Sequence, residues 1–214
     1  MSLLDILMKG GVVMILIYLL SLIAVFILIE RLISLRKVRI NTRTFVLQIR
    51  NLLLRNQKEE AIQLCKRTVG PIAKMTRVGI ENADRPRMEI KDAIESAGKA
   101  EIYHLEKNLG TLATIASIAP MIGFFGTVTG MIRAFMAIQA RGGNVDATVL
   151  AGGIWEALVT TAAGLVVGIL SLIFYNLIQG KVERIVFEME ETSSELLDAL
   201  ISESGVMKHE FTNK

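Results

Sequence analysis

Three stretches of the chain carry no Asp, Glu, Lys or Arg: Gly10 to Ile29, Leu109 to Ile132 and Ala157 to Gly180. A helix needs roughly 20 apolar residues to cross a bilayer, so each stretch predicts a membrane span. Between the first two spans the apolar positions change character. Phe45, Ile49, Leu52 and Leu53 recur at helical spacing, and Ala61, Leu64 and Cys65 continue the pattern beyond a polar break at Asn56-Gln57. Gly70-Pro71 interrupts it again. Another helix is expected from Asp84-Arg85-Pro86, with Asp84 as its cap and Pro86 in the first turn, where the missing N–H costs nothing. No proline lies between Met88 and Ala119. With apolar or small residues at Ile90, Ala93, Ala97, Ala100, His104 and Leu105, this helix is expected to run on into the second span. After the third span, Val182, Ile185, Met189, Leu196 and Leu200 mark one face of a further helix, with Glu188, Glu190, Glu191 and Glu195 on its wetter side.

The fold class that follows is all-α, with spans two and three extended into a helical domain outside the bilayer. The expected boundaries are a short N-terminal segment at 1–11, spans at 12–30, 109–138 and 148–180, a helical domain at 31–108, a connection at 139–147 and a C-terminal helix and tail at 181–214. Composition agrees, since 52% of the 214 residues are apolar and the mean hydropathy is +0.49. The first apolar stretch exceeds a secretory h-region of about 7 to 15 residues and leads into Glu30-Arg31 without a small-residue cleavage site, so it reads as a retained span.

The net charge of +3 conceals an asymmetry: 17 of the 24 basic residues fall between Arg31 and Lys107. The positive-inside rule makes that segment cytoplasmic, which places the N-terminus and the connection after Arg133 outside and the C-terminal tail inside. Nucleic acid is not the expected partner, because Glu59, Glu60, Glu81 and Asp84 interrupt the basic run and no stacking aromatics accompany it. The basic loop and the acidic tail have two readings, as subunit contacts or as solvated faces. Cys65 is the only cysteine and the two histidines, His104 and His209, lie far apart, so neither a disulfide nor a metal site is expected. No cofactor motif, hydrolase elbow or phosphate-binding loop appears, and an enzyme is not expected.

Span one is built of Val, Ile, Leu and Phe, as suits a lipid-facing helix. Spans two and three differ. In span two, Ala116, Pro120, Gly123, Thr127 and Gly130 recur every three or four residues, and in span three Gly153, Ala157, Thr160, Gly164, Gly168 and Ser171 do the same. Such stripes allow close helix packing in membranes; equally, they can line a lumen. Glu156 is the only acidic or basic residue in the 34 positions between Asp146 and Lys181. A carboxylate in the membrane must face a cavity, find a partner or take a proton, and is a functional candidate by default. The other reading puts it in the outer interface beside Trp155.

The segments Ser117 to Gly130 (SIAPMIGFFGTVTG) and Gly153 to Gly168 (GIWEALVTTAAGLVVG), with Tyr175-Asn176 after them and Glu30-Arg31 at the end of span one, resemble the ExbB/TolQ branch of the MotA/TolQ/ExbB proton-channel family. The resemblance implies a multi-pass protein of the bacterial inner membrane, periplasmic at its N-terminus and cytoplasmic at its C-terminus. It implies a homopentamer around an ExbD/TolR-like single-span partner that carries an intramembrane Asp, with a TonB/TolA-like protein beyond it. The family's pore threonines fall on Thr127 and Thr161, and its span-three glutamate on Glu156. Thr160, however, shares a helix face with Glu156 and Thr161 does not, so both stand as proton-pathway candidates. Gly123, Gly130, Gly164, Gly168 and Pro120 are assigned to helix packing. The chain departs from the family in reading Gly168-Ile-Leu170 where a late proline is common, and Trp155 where a small residue is usual.

No Asp lies within any span, and one glutamate with scattered hydroxyls makes no continuous relay, so the titrating group is expected on the partner. Thr127, Thr161 and Glu156 then form the polar track it meets. A non-conducting scaffold is the alternative from another class, and sodium-driven and gliding-motor versions share the same residues.

Overall fold

The computed structural model describes residues 11–38, 40–140 and 147–212. The regular elements among them are all α-helices: α1 (Gly11–Val38), α2 (Thr42–Leu54), α3 (Lys58–Arg67), α4 (Pro71–Glu81), α5 (Arg87–Glu106), α6 (Leu109–Ala140) and α7 (Ala147–Thr212). Most of the expected N-terminal segment 1–11 and of the connection 139–147 lies outside the described residues. Three helical stretches, in α1, α6 and α7, are long and apolar enough to cross a membrane. The chain divides into two compact units, one of residues up to Arg31 with Asn108–Ile178, the other of Leu32–Lys107 with the chain from Gln179 onward.

In the first unit the inner face of α1, Val13, Met14 and Ile17, is buried against Ile122 of α6 and Val159, Ala163 and Val167 of α7. The opposite faces stay apolar: Ile15, Leu22 and Phe26 on α1, Phe124 and Phe125 on α6, and Val166 and Ile169 on α7 are exposed. An apolar surface of this extent is what lipid, rather than water, solvates. At one end of the unit Arg31, 4% exposed, pairs with Glu30, and Asn108 Nδ2 donates to the same carboxylate at 3.3 Å.

Asn108 marks a correction. The uninterrupted helix expected from the segment before span two into the span does not form, because α5 ends at Glu106 and Asn108 adopts φ +65 before α6 begins. Asparagine tolerates this left-handed conformation better than most residues, and one such residue breaks the hydrogen-bond ladder. Span three does run on into the helix that follows it, since α7 continues through Gly180 without a break. After Gly180, Glu and Leu recur and no proline intervenes, which suits continuation of the helix.

The second unit forms where the sequence signals place its turns. Asn41 caps α2 by accepting from Thr44 N at 3.2 Å, Asn56 takes φ +57 between α2 and α3, and Gly70 at φ +146 delivers Pro71 to the first turn of α4. Its core joins Phe45, Ile49, Leu53, Ala61, Cys65, Ile72, Met75 and Ile80 to Val182, Met189, Leu196 and Leu200 of α7. Two details differ from the sequence reading. Asp84 does not cap α5, which starts only at Arg87 with no side-chain cap; it pairs with Lys58 at 2.7 Å across the preceding turn. The inner face of α5 is Ile90, Ile94, Gly98 and Leu105, while Ala100 and His104 are exposed. Gly98 sets that face, since Met75 Sδ lies 3.5 Å and Met189 Cε 3.9 Å from where a Cβ would stand. Of the tail carboxylates, Glu188 accepts from Thr42 Oγ1 at 2.7 Å, and Asp198 approaches Arg87 at 3.9 Å.

Candidate functional site

In the first unit α6 and α7 run antiparallel with glycine against backbone at successive turns. A Cβ on Gly123 would lie 2.9 Å from Thr160 O and 3.2 Å from Gly164 Cα, and one on Gly130 would lie 3.1 Å from Ala157 Cβ. A Cβ on Gly164 would stand 2.5 Å from Ala119 O. All are below ordinary van der Waals separation, so the two backbones meet at a distance that any side chain would widen. Pro120 contributes differently. Lacking an N–H, it leaves the carbonyl of Ala116 without its intrahelical donor, and this carbonyl faces the bare backbone of Gly168, 3.0 Å from the position of a Cβ there.

This close approach brings two hydroxyls together. Thr127 Oγ1 lies 3.1 Å from Ala157 O, Thr161 Oγ1 lies 3.0 Å from Gly123 O, and the two hydroxyls are in direct hydrogen-bond contact with each other. Both residues are half-buried. Thr160 is placed otherwise: it is 1% exposed and its hydroxyl donates to the carbonyl of Ala157 at 2.8 Å, one turn back on its own helix. Gly126 covers it, and a Cβ there would collide with the Thr160 side chain. Of the two adjacent threonines, Thr161 therefore meets Thr127 across the helix pair and Thr160 is enclosed within it.

Glu156 stands apart from both. Its Oε1 lies 3.1 Å from Arg133 Nη1, with side-chain exposures of 26% for Glu156 and 54% for Arg133. Among the described residues no hydrogen bond joins this carboxylate to Thr127, Thr160 or Thr161. The pair was not evident from the sequence because Arg133 reads there only as the end of a charge-free stretch. The signal lies in the register: with Gly168 opposite Pro120, Thr161 opposite Thr127 and Ala157 opposite Gly130, each advance along α6 matches a retreat along α7, and the count brings Arg133 to within a residue or two of Glu156. Trp155, next to it, is 43% exposed. Among the described residues no group of His, Cys, Asp and Glu is arranged to hold a metal ion.

A helix pair packed through glycines, apolar outside and with hydroxyls and carbonyls gathered between its members, defines the class: a multi-pass membrane protein. The chain belongs to the MotA/TolQ/ExbB proton channel family, whose pattern matches residues 67–191. It is 31% identical over 183 residues to a protein named ExbB homolog from Methanothermobacter thermautotrophicus, covering 85% of this chain and 64% of that one. It is 30% identical over 170 residues to ExbB-like 3 of Synechocystis, covering 79% and 81%. It is 41% identical over 109 residues to the Tol-Pal system protein TolQ of Haemophilus influenzae, covering 49% and 46%. The chain thus spans just under two thirds of the archaeal relative and about half of TolQ. The chain is thus a member of a membrane proton-channel family, and relatives it matches carry the names of biopolymer-transport proteins.

Proposed function

We propose that this chain is the ring-forming stator subunit of an energy-transducing complex of a bacterial inner membrane. In this reading five copies surround the spans of an ExbD/TolR-like partner, whose intramembrane Asp exchanges protons along the helices, and a TonB/TolA-like protein takes up the resulting movement for outer-membrane transport or envelope maintenance. The basic segment Arg31 to Lys107 lies in the cytoplasm and the N-terminus in the periplasm. The observation that carries the proposal is the Thr127–Thr161 hydroxyl pair, flanked by the carbonyls of Gly123 and Ala157 between α6 and α7. Hydroxyls both donate and accept, so they can hand on a proton without holding a fixed charge. One charge crossing 100 mV releases about 2.3 kcal/mol, enough to bias the movement of a loosely held central element.

The test is proton flux in proteoliposomes containing the chain co-purified with its single-span partner. Thr127→Val and Thr161→Val each keep the side-chain shape and remove a hydroxyl, and each is expected to lower flux at least about tenfold, the consequence of losing roughly 1.4 kcal/mol at the limiting step. Full flux in both variants would mean that the hydroxyl pair is not on the path. Flux that follows a sodium gradient instead would assign the same four oxygens to sodium.

A further inference from the structure

The Glu156 carboxylate is gripped from two helices besides its own. Arg133 of α6 reaches it at 3.1 Å, and the start of α1 closes over it: Gly11, at φ +62, lies so near that a Cβ would collide with Glu156 Oε1 and stand 3.4 Å from Arg133 Nη1. All three membrane-spanning helices therefore meet at one ion pair. Arginine keeps its charge at any pH the protein meets, so Arg133 gives the carboxylate a permanent partner.

A proton carrier needs the opposite of this. It must approach its donor and acceptor to roughly 2.6–3.2 Å, and it must lose nothing when it becomes neutral. Arg133 is six residues beyond Thr127, about 9 Å along the helix axis, and Glu156 is five residues before Thr161, about 7.5 Å. Among the described residues no hydrogen bond links the Glu156 carboxylate to either threonine of the pair; Thr160 Oγ1 reaches only the backbone carbonyl of Glu156, at 3.2 Å. We infer that Arg133 is a positioning residue for proton translocation, and that its pair with Glu156 is an electrostatic latch that fixes the start of α1 to the end of the α6/α7 path, so that Glu156 acts as a held anion and passes no proton.

The inference rests on the proposed function, and its test separates the two. In proteoliposomes with the partner present, Arg133→Gln and Glu156→Gln are each expected to lower proton flux about tenfold. The double variant should lose no more than the worse single one, because both remove the same interaction. Arg133→Lys, which keeps the charge, should recover at least half of the flux lost in Arg133→Gln. Gly11→Ala, which changes no charge but pushes the carboxylate aside, should behave like Glu156→Gln. Native mass spectrometry of each complex accompanies the flux measurement. Glu156→Gln abolishing flux while Arg133→Gln retains it would overturn the latch and make Glu156 a carrier, as would losses that multiply in the double variant. Loss of the assembled complex in the glutamine variants would overturn it as well, by reducing the pair to a structural contact. Flux unaffected by Thr127→Val and Thr161→Val would instead remove the proposed function.

Discussion

Thr160 and Thr161 have the same side chain and are joined by one peptide bond, yet about 100° of helical rotation separates them and gives them different chemistry. Thr160 spends its hydroxyl on its own backbone beneath Gly126, and Thr161 turns its hydroxyl to Thr127. Thr160→Val is accordingly expected to leave proton flux within about twofold of the parent, against the roughly tenfold loss expected for Thr161→Val; comparable losses in both would contradict this division. Cys65 supports a second prediction. Burial pushes its thiol up to about 12, with Arg77 opposing and Glu81 adding to the rise. Its usual value is about 8.5, so at pH 8 the folded protein should react with a thiol alkylating reagent at least about a thousandfold more slowly than the chain in denaturant, a ratio that follows from the thiolate fractions. The sign for stability follows: above about pH 8.5 the unfolded chain releases this proton and the folded one keeps it, so this contribution to stability declines from there up to about pH 12. At this scale the sequence motifs located Thr127, Thr161 and Glu156. They were silent on Arg133 and Gly11, because a salt bridge between spans depends on register, and register is not written in either span alone.

Among the elements, α6 and α7 owe their separation to glycine, and the cost of a side chain depends on what it would strike. At Gly164 it would strike the backbone of Ala119, which cannot move aside as a side-chain tip could. Gly164→Leu should destabilise the protein by about 3 kcal/mol or prevent its folding, as overpacking at a rigid contact does, measured by thermal unfolding in detergent. At Gly180 nothing lies within 4 Å of a Cβ, and Gly180→Ala should stabilise α7 by about 0.5–1 kcal/mol. The helices themselves were legible from apolar spacing and from Asn56, Gly70 and Pro71, whose conformational preferences act locally. Their ends were less so. Asp84 has the chemistry of a cap but stands in the preceding turn and is drawn to Lys58. The break at Asn108 falls where the apolar pattern continues on both sides, so periodicity alone runs straight through it.

For the whole molecule, the division into an apolar unit of three spans and a second helical unit was readable from the distribution of charge, since 17 of the 24 basic residues lie between Arg31 and Lys107. How many copies assemble was not, because the apolar outer faces of α1, α6 and α7 look alike whether lipid or another subunit covers them. Native mass spectrometry of the complex released from membranes is expected to find five copies of this chain with two of the single-span partner; a monomer indifferent to the partner would favour a scaffold. The hydroxyl pair places its own condition on any such assembly. Thr127 and Thr161 own two hydroxyl protons but make three contacts, to Ala157 O, to each other and to Gly123 O. One contact is therefore always without a proton: either both hydroxyls point the same way, towards one carbonyl or the other, or each donates to its own carbonyl and the contact between them is empty. If the proposed path holds, a proton handed through would leave the polarity reversed, and the next could follow only after both hydroxyls had turned back. On the proposed path, a pair left in one polarity would keep a record of the last proton to pass until its hydroxyls turn.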